Sequence, residues 1–240
     1  MPGVFPFADG PPKLAAMTDP LTYAVGDIHG CADLLDRLLE RIEAHAAGRE
    51  RRLVFLGDYI DRGPDSAGIL SRLRTLAWRE PESVTCLMGN HEALLLAALR
   101  EPGGEAHWLV NGGDATLASF GVEEAAAIPR DVLDWIEALP SLHADAARWY
   151  VHAGFRPGEA PEESSPHTRL WIREPFLSED VDFGRHVVHG HTPQTSGRPD
   201  RRPHRTNLDT GAVYGGALTA GVFTAEAGPA VAFLSVRAEA

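Results

Sequence analysis

Three short stretches carry residue types that can do metal and acid–base chemistry: Gly26-Asp27-Ile28-His29-Gly30, Gly57-Asp58-Tyr59-Ile60-Asp61-Arg62-Gly63 and Gly89-Asn90-His91-Glu92. Carboxylate, amide and imidazole donors without thiolate suit manganese, iron or zinc, and imidazole disfavours magnesium. Two cations about 3.5–4 Å apart need a shared ligand, and Asp58, in the middle stretch, is placed to bridge them. Asp27 and His29 then fall on one side of it and Asn90 on the other, while His152 and His191, further along the chain, can close the second site. Such a pair activates a shared water and clamps two phosphoryl oxygens, which supplies nucleophile and charge neutralisation together. A departing alkoxide needs a proton. His91 is the candidate acid, and Asp61 is the carboxylate that would keep its imidazolium charged. Arg62, next to Asp61, offers a planar fork to the phosphoryl oxygens. The chemistry these residues fit is metal-assisted hydrolysis of a phosphoester.

For these residues to meet, their elements must end at one place. Each of the three stretches closes an apolar run that reads as a strand and opens a helical one, which sets them at one edge of a parallel sheet. Asp27 and Asp58 are 31 residues apart and Asp58 and Asn90 are 32 apart, matching a strand, loop and crossover helix of roughly 30 residues. The strands read at 22–25, 53–56 and 84–88. The second is apolar without alternation, as in a strand covered on both faces. Leu34, Leu35, Leu38, Leu39 and Ile42 stripe the first helix, Ile69, Leu70, Leu73 and Leu76 the second, and Pro102-Gly103-Gly104 stops the third.

Residues 106–140 read as a helical insert, broken at Asn111-Gly112-Gly113 and resumed at Pro129. A hairpin over 141–144 and 148–151 leads into His152-Ala153-Gly154, and residues 156–182 read as mostly loop around Leu170-Trp171-Ile172. A strand at 185–188 runs into His189-Gly190-His191-Thr192-Pro193, followed by strands at 206–209, 217–223 and 231–236. Without helical crossovers this end reads as mainly antiparallel. The expected fold class is α/β, a two-sheet β-sandwich flanked by helices, forming one domain over 21–240 behind a loose arm at 1–20.

With 240 residues, a net charge of −12 and a pI near 5.3, the chain lacks the basic face that nonspecific nucleic-acid binding needs. Two cysteines, Cys31 and Cys86, make no disulfide framework and fit a reducing compartment. The first twenty residues are Pro-rich without a signal-peptide core, and no apolar run reaches the roughly 18 residues of a membrane span. A soluble cytoplasmic protein with no membrane partner is expected. Arg198, Arg201, Arg202 and Arg205 form a basic run after His191, read first as a solvated turn between strands and second as a cleft rim that attracts acidic peptide.

Taken in order, Gly-Asp-x-His-Gly, Gly-Asp-x-x-Asp-Arg-Gly, Gly-Asn-His-Glu, His-Ala-Gly and Gly-His-Thr-Pro resemble the phosphoprotein phosphatase family of calcineurin-like metallophosphoesterases. The resemblance spans about residues 22–222 and is similar to small bacterial and phage serine/threonine phosphatases, including His107-Trp108-Leu109-Val110-Asn111-Gly112-Gly113 and Asp209-Thr210-Gly211-Ala212. It implies the sandwich fold, a phosphorylated protein or peptide as substrate, and two divalent ions, with manganese favoured and iron or zinc admissible. It implies metal ligands at Asp27, His29, Asp58, Asn90, His152 and His191, an acid at His91 paired with Asp61, and phosphate contacts from Arg62 and Arg173.

Each motif alone has an ordinary structural reading, since Gly-Asp after a strand is commonly a turn with a helix cap. Five in order do not. His189 reads as a structural or supporting residue, Glu92 as a helix-start acid favoured by the dipole, and Asp209 either as a partner of a ligand His or as the shaper of its turn. Cys31 to Arg37 spells Cys-x5-Arg, but a thiolate phosphatase loop needs a Gly-rich turn, and this segment is amphipathic helix. The nearest rival function is hydrolysis of diadenosine tetraphosphate. Relatives of that kind usually read Gly-Asn-His-Asp and separate the last two His ligands further than the 39 residues found here. A noncatalytic metal-binding module on the same fold is the third reading.

Overall fold

The computed structural model describes residues 20–238, so residues 1–19 of the expected arm lie outside the described residues. The first half is three βα units. β1 (Leu21–Val25) leads to α1 (Ala32–Ala46), β2 (Arg51–Phe55) to α2 (Ser66–Arg79), and β3 (Val84–Cys86) to α3 (Asn90–Arg100). Tyr23, Val25, Leu53 and Phe55 pack beneath the helices, while Ala24, Val54 and Leu56 face a second apolar layer. Both faces of these strands are therefore covered, which is why their sequences do not alternate. Helix α1 buries Leu34, Leu35, Leu38 and Ile42, each contributing about 1.5–3 kcal/mol on full burial. At the start of α2 the Asp65 carboxylate accepts the Gly68 N–H at 2.8 Å.

The helical insert consists of α4 (Gly104–Trp108), α5 (Asp114–Phe120) and α6 (Arg130–Glu137). Between α4 and α5 the chain makes a wide helical turn, Leu109–Gly113, in which Gly112 adopts φ 101°. β4 (Leu142–Ala144) and β5 (Arg148–Val151) form the expected hairpin. The stretch read as mostly loop contains α7 (Pro166–Trp171), whose signals are local: the Ser165 hydroxyl accepts the Thr168 N–H, and Pro166 occupies the first turn. Then follow β6 (His186–His189), β7 (Asp200–Arg201), β8 (Arg205–Asn207), β9 (Ala217–Phe223) and β10 (Ala232–Arg237).

The strands make two five-stranded mixed sheets, ordered β10-β9-β1-β2-β3 and β4-β5-β6-β8-β7. The mainly antiparallel second half is thus a misreading in part, because β5, β6 and β8 are parallel neighbours. Parallel pairing needs a crossover of a dozen or more residues, and the connections over 152–185 and 190–204 are long enough to supply it with only one short helix. Between the sheets lies a core of Ala24, Val54, Leu56, Leu87, Tyr150, Val188, Leu208 and Phe223. A two-sheet α/β sandwich flanked by helices is the architecture. Its layers bring the C-terminal ends of β1, β2 and β3 opposite those of β5, β6 and β8.

The basic run sits elsewhere. Arg201 pairs with Thr206 across the β7–β8 ladder, and the Arg202 N–H donates to the Arg205 carbonyl, closing a turn at the start of β8. Asp209, at the other end of that strand, is four residues beyond Arg205, roughly 13 Å at strand rise. Arg205 is itself buried, its guanidinium bonded to Asp200 and to the Leu177 carbonyl. Arg201 and Arg202 are exposed at this turn, as the first reading expects, whereas the burial of Arg205 departs from it. Changing Arg201 and Arg202 together to Ala is expected to leave KM for acidic phosphopeptides, and its salt dependence, within twofold of the parent; initial-rate series at low and high salt check this.

Candidate active site

The first three corners are stitched together through their backbones. The amides of Ile28 and His29 donate to the Asp58 carbonyl at 3.0 and 2.9 Å, and that of Gly30 donates to Tyr59 at 2.8 Å. Glu92 then fixes the middle corner. Its fully buried carboxylate accepts the N–H groups of Asp58 (2.9 Å), Tyr59 (2.8 Å), Ile60 (3.3 Å) and Gly89 (2.9 Å). An acid favoured by the helix dipole alone would have stayed at the surface, so the sequence understates this residue. Burial pushes the Glu92 carboxyl up to about 7, with the Asp58 charge adding to the rise and the amide donors opposing it.

His29, Asp58, Asp61, Arg62 and His191 all adopt left-handed φ between 46° and 72°. Such conformations cost non-glycine residues on the order of 1–3 kcal/mol each and persist only where the surroundings over-determine them. Close approach matters as well. A Cβ on Gly190 would lie 2.1 Å from Asp27 Oδ1, and one on Gly89 would lie 2.2 Å from Asp58 Oδ1.

Two groups of donors converge. His29, Asp58 and His91 offer ligand atoms within 4.8 Å of one another, as do Asp58, His152 and His191, and Asp58 belongs to both groups. Asn90 Oδ1 lies 2.8 Å from His152 Nε2 and 2.8 Å from His191 Nδ1. Asp27 stands beside them, accepting the His191 N–H through both oxygens at 3.1 Å. The second ring nitrogens set the tautomers. His29 Nδ1 donates to the Ile60 carbonyl at 2.8 Å and His152 Nδ1 to the Leu56 carbonyl at 3.0 Å, which leaves both Nε2 lone pairs facing the cluster.

The donor set fits divalent cations. Lone pairs on His152 Nε2, Asn90 Oδ1 and the Asp58 carboxylate meet in a buried space, where a cation between them would relieve the repulsion. Burial lowers the pKa of His29 and of His191 to about 3, and lowers that of His152, so these rings are neutral and free to ligate. Burial alone would raise the Asp58 carboxyl, but the imidazoles of His152, His91 and His29 around it and the His91 backbone N–H it accepts hold it well below the usual carboxylate range. Asp27 is pushed up by burial and by Asp209 and Asp58, a repulsion that a bound cation would cancel.

His91 is held differently. Its Nδ1 lies 2.7 Å from Asp61 Oδ2, and Asp61 also accepts from Trp108 Nε1 at 3.0 Å and Thr116 Oγ1 at 2.6 Å. Burial opposes a charge on His91, but Asp58 and the Asp61 hydrogen bond outweigh it and raise the pKa above the ordinary histidine value. Arg62 is exposed at the edge, its Nη1 2.8 Å from His29 Nε2 and its N–H donating to the Gly112 carbonyl. Arg173 is exposed after α7, and its charge acts on the His191 ring.

His189 points elsewhere: its Nδ1 donates to the Gly190 carbonyl, its ring packs edge-on against Phe176, and it belongs to neither donor group. Asp209 shapes its turn by accepting the Gly211 N–H at 3.0 Å, and it lies against Asp27. Cys31 sits at the start of α1, its thiol raised to about 11 by burial, and it is no thiolate nucleophile. Sequence reasoning missed the roles of Glu92 and Thr116, and it had Trp108 only as part of a resembling motif. Thr116 lies 55 residues from the Asp61 it holds, with no local signal to mark it.

Residues 21–217 match the family profile described as calcineurin-like phosphoesterase. The chain is 34% identical over 205 residues to serine/threonine-protein phosphatase 1 of Salmonella typhimurium, covering 82% of this chain and 89% of that protein. It is 36% identical over 137 residues to the symmetrical bis(5'-nucleosyl)-tetraphosphatase of Pseudomonas syringae, covering 56% of this chain and 42% of that protein. A crystal structure assigned an inferred diadenosine tetraphosphatase function superposes with a TM-score of 0.67 at 25% identity, covering 93% of this chain and 96% of that one.

Replacing Glu92 with Gln would turn an amide group toward backbone N–H donors that now meet a carboxylate. The expected loss is about 1–3 kcal/mol of unfolding free energy, the cost of leaving a buried donor unsatisfied. Urea denaturation at constant m-value checks it, with metal retention falling in parallel.

Proposed function

Because the chain belongs to the calcineurin-like phosphoesterase family, we propose that it is a dinuclear metal phosphatase that removes phosphate from phosphoserine or phosphothreonine in proteins or peptides. The observation that carries the chemistry is Asp58, shared by two converging donor groups with the Asp61–His91 pair and Arg62 beside them. The residues that would hold the ions are Asp27, His29, Asp58, Asn90, His152 and His191, with manganese favoured and iron or zinc admissible. When bound, such ions supply Lewis acidity and an activated water. Arg62 and Arg173 orient the phosphoryl oxygens through charge-assisted hydrogen bonds. His91 gives its proton to the leaving oxygen, and Asp61, held by Trp108 and Thr116, keeps the imidazole oriented and charged. Free Cys31 and Cys86 accord with a cytoplasmic location.

Substrate choice rests on how much of each relative is matched. The similarity to the Salmonella phosphatase runs through 89% of that protein, whereas the tetraphosphatase is matched through 42% of its length. Glu92, where the resemblance to dinucleotide hydrolases would put Asp, points the same way. The second reading, a symmetrical dinucleoside tetraphosphate hydrolase, is favoured by the full-length structural likeness at 25% identity. A parallel assay of phosphoserine, phosphothreonine and phosphotyrosine peptides and diadenosine tetraphosphate with added manganese decides between them. Higher kcat/KM for the first two supports the proposal, and a clear preference for the dinucleotide reverses it.

Asp58→Asn is expected to abolish most turnover of every phosphoester; an unchanged rate at defined metal concentration would refute the shared-ligand role. His91→Asn is expected to slow phosphopeptide hydrolysis roughly 10²–10⁴-fold, the usual scale of general acid catalysis, and p-nitrophenyl phosphate much less. An aryloxide leaves without protonation, so equal losses on both substrates would assign His91 to binding instead.

A further inference from the structure

His189 ends β6 and is fully buried. Val188 belongs to the core between the sheets, so Val187 and His189 face the other way, where Val187 packs with Trp149, Phe155 and Phe176. Valine suits such a place. A buried imidazole does so only if both ring nitrogens find partners. β8 sets Arg205 opposite Val187, and its Nη1 comes within 3.5 Å of His189 Nε2. A guanidinium can only donate, so Nε2 carries the lone pair and the ring proton sits on Nδ1. That Nδ1–H donates to the Gly190 carbonyl at 3.2 Å.

The peptide group between Gly190 and His191 is bound at both ends. Its oxygen also accepts the Thr192 N–H at 2.8 Å, and its N–H donates to both oxygens of Asp27 at 3.1 Å. His191 takes φ 68° there, and a Cβ on Gly190 would lie 2.1 Å from Asp27 Oδ1. So strained and tight a turn persists only where its surroundings over-determine it. We propose that His189 is a positioning residue: through this peptide group, with its ring set by Arg205, it aims Asp27 and His191 into the donor cluster for divalent cations. This rests on the metal-dependent phosphoesterase reading above and deepens it with a residue that belongs to neither donor group. A hydrogen bond at a peptide oxygen strengthens the donor at its nitrogen. Losing the Nδ1–H therefore loosens the Asp27 carboxylate and the turn that holds His191 Nδ1 2.8 Å from Asn90 Oδ1. The burial of Arg205, last of the basic run, has a use in the same arrangement.

Manganese alone is the probe, titrated calorimetrically into the metal-stripped full chain of the parent, His189→Asn, His189→Gln and Val188→Ala. Asn sets an amide N–H where Nδ1 stands, whereas Gln sets the same group where Nε2 stands and leaves the Gly190 carbonyl without it. Val188→Ala, a core truncation on the same strand, calibrates loss of stability alone in urea. His189→Gln is expected to bind manganese about 10- to 100-fold more weakly, the usual effect of losing a group that orients a metal ligand. His189→Asn and Val188→Ala are expected to bind as the parent does. Equal losses in the Asn and Gln variants, or a loss in Val188→Ala that matches Gln, would overturn the proposal and assign His189 to packing. A Gln variant that binds manganese like the parent would overturn it and leave the metal centre intact. A parent that binds no manganese would overturn both.

Discussion

One buried carboxylate sets the geometry of the centre. Glu92 accepts four backbone N–H groups, three of them from consecutive residues of the middle corner, so the chain beyond β2 cannot turn any other way. Those residues present Asp58 between two donor groups and lead into Asp61 and Arg62. The first corner depends on the same turn, since Ile28, His29 and Gly30 donate to carbonyls of Asp58 and Tyr59. Buried charge is costly unless every lone pair is used, and here the amides satisfy it.

Strain and charge share a logic in this site. Five residues hold left-handed backbone conformations, and lone pairs from two sheets converge among buried side chains. Neither arrangement is stable locally. The apolar layers above and below supply the rigidity, because strands covered on both faces cannot shift to relax their loops. The imidazole tautomers are set from behind by carbonyls of Leu56 and Ile60, so the ligand nitrogens are oriented by backbone of the corner after β2.

Around that rigid floor the exposed groups differ in kind. Arg62 and Arg173 bring positive charge, in an acidic protein, against His29 and His191 of the donor cluster. Tyr214 sets an exposed aromatic ring beside Arg62. The exposed Arg201 and Arg202, by contrast, lie at the turn between β7 and β8.

How much was legible follows from range. The βα units, the sandwich class and the convergence of the motif residues follow from short-range information: apolar periodicity, Gly-rich corners after strands, and spacings near 30 residues. Helix α7 was legible too, in Ser165-Pro166, but its short length hid it among prolines and glycines. The parallel pairing of β5, β6 and β8 was not, because strand direction is set by long connections that leave no periodic signal. Nor was the network behind His91, where Trp108 and Thr116 reach Asp61 across 47 and 55 residues. Residue types and local spacing determined which atoms were available for chemistry. Only the packing of the two sheets decided which of them meet, since contacts between residues so far apart in sequence exist only when the intervening chain is folded.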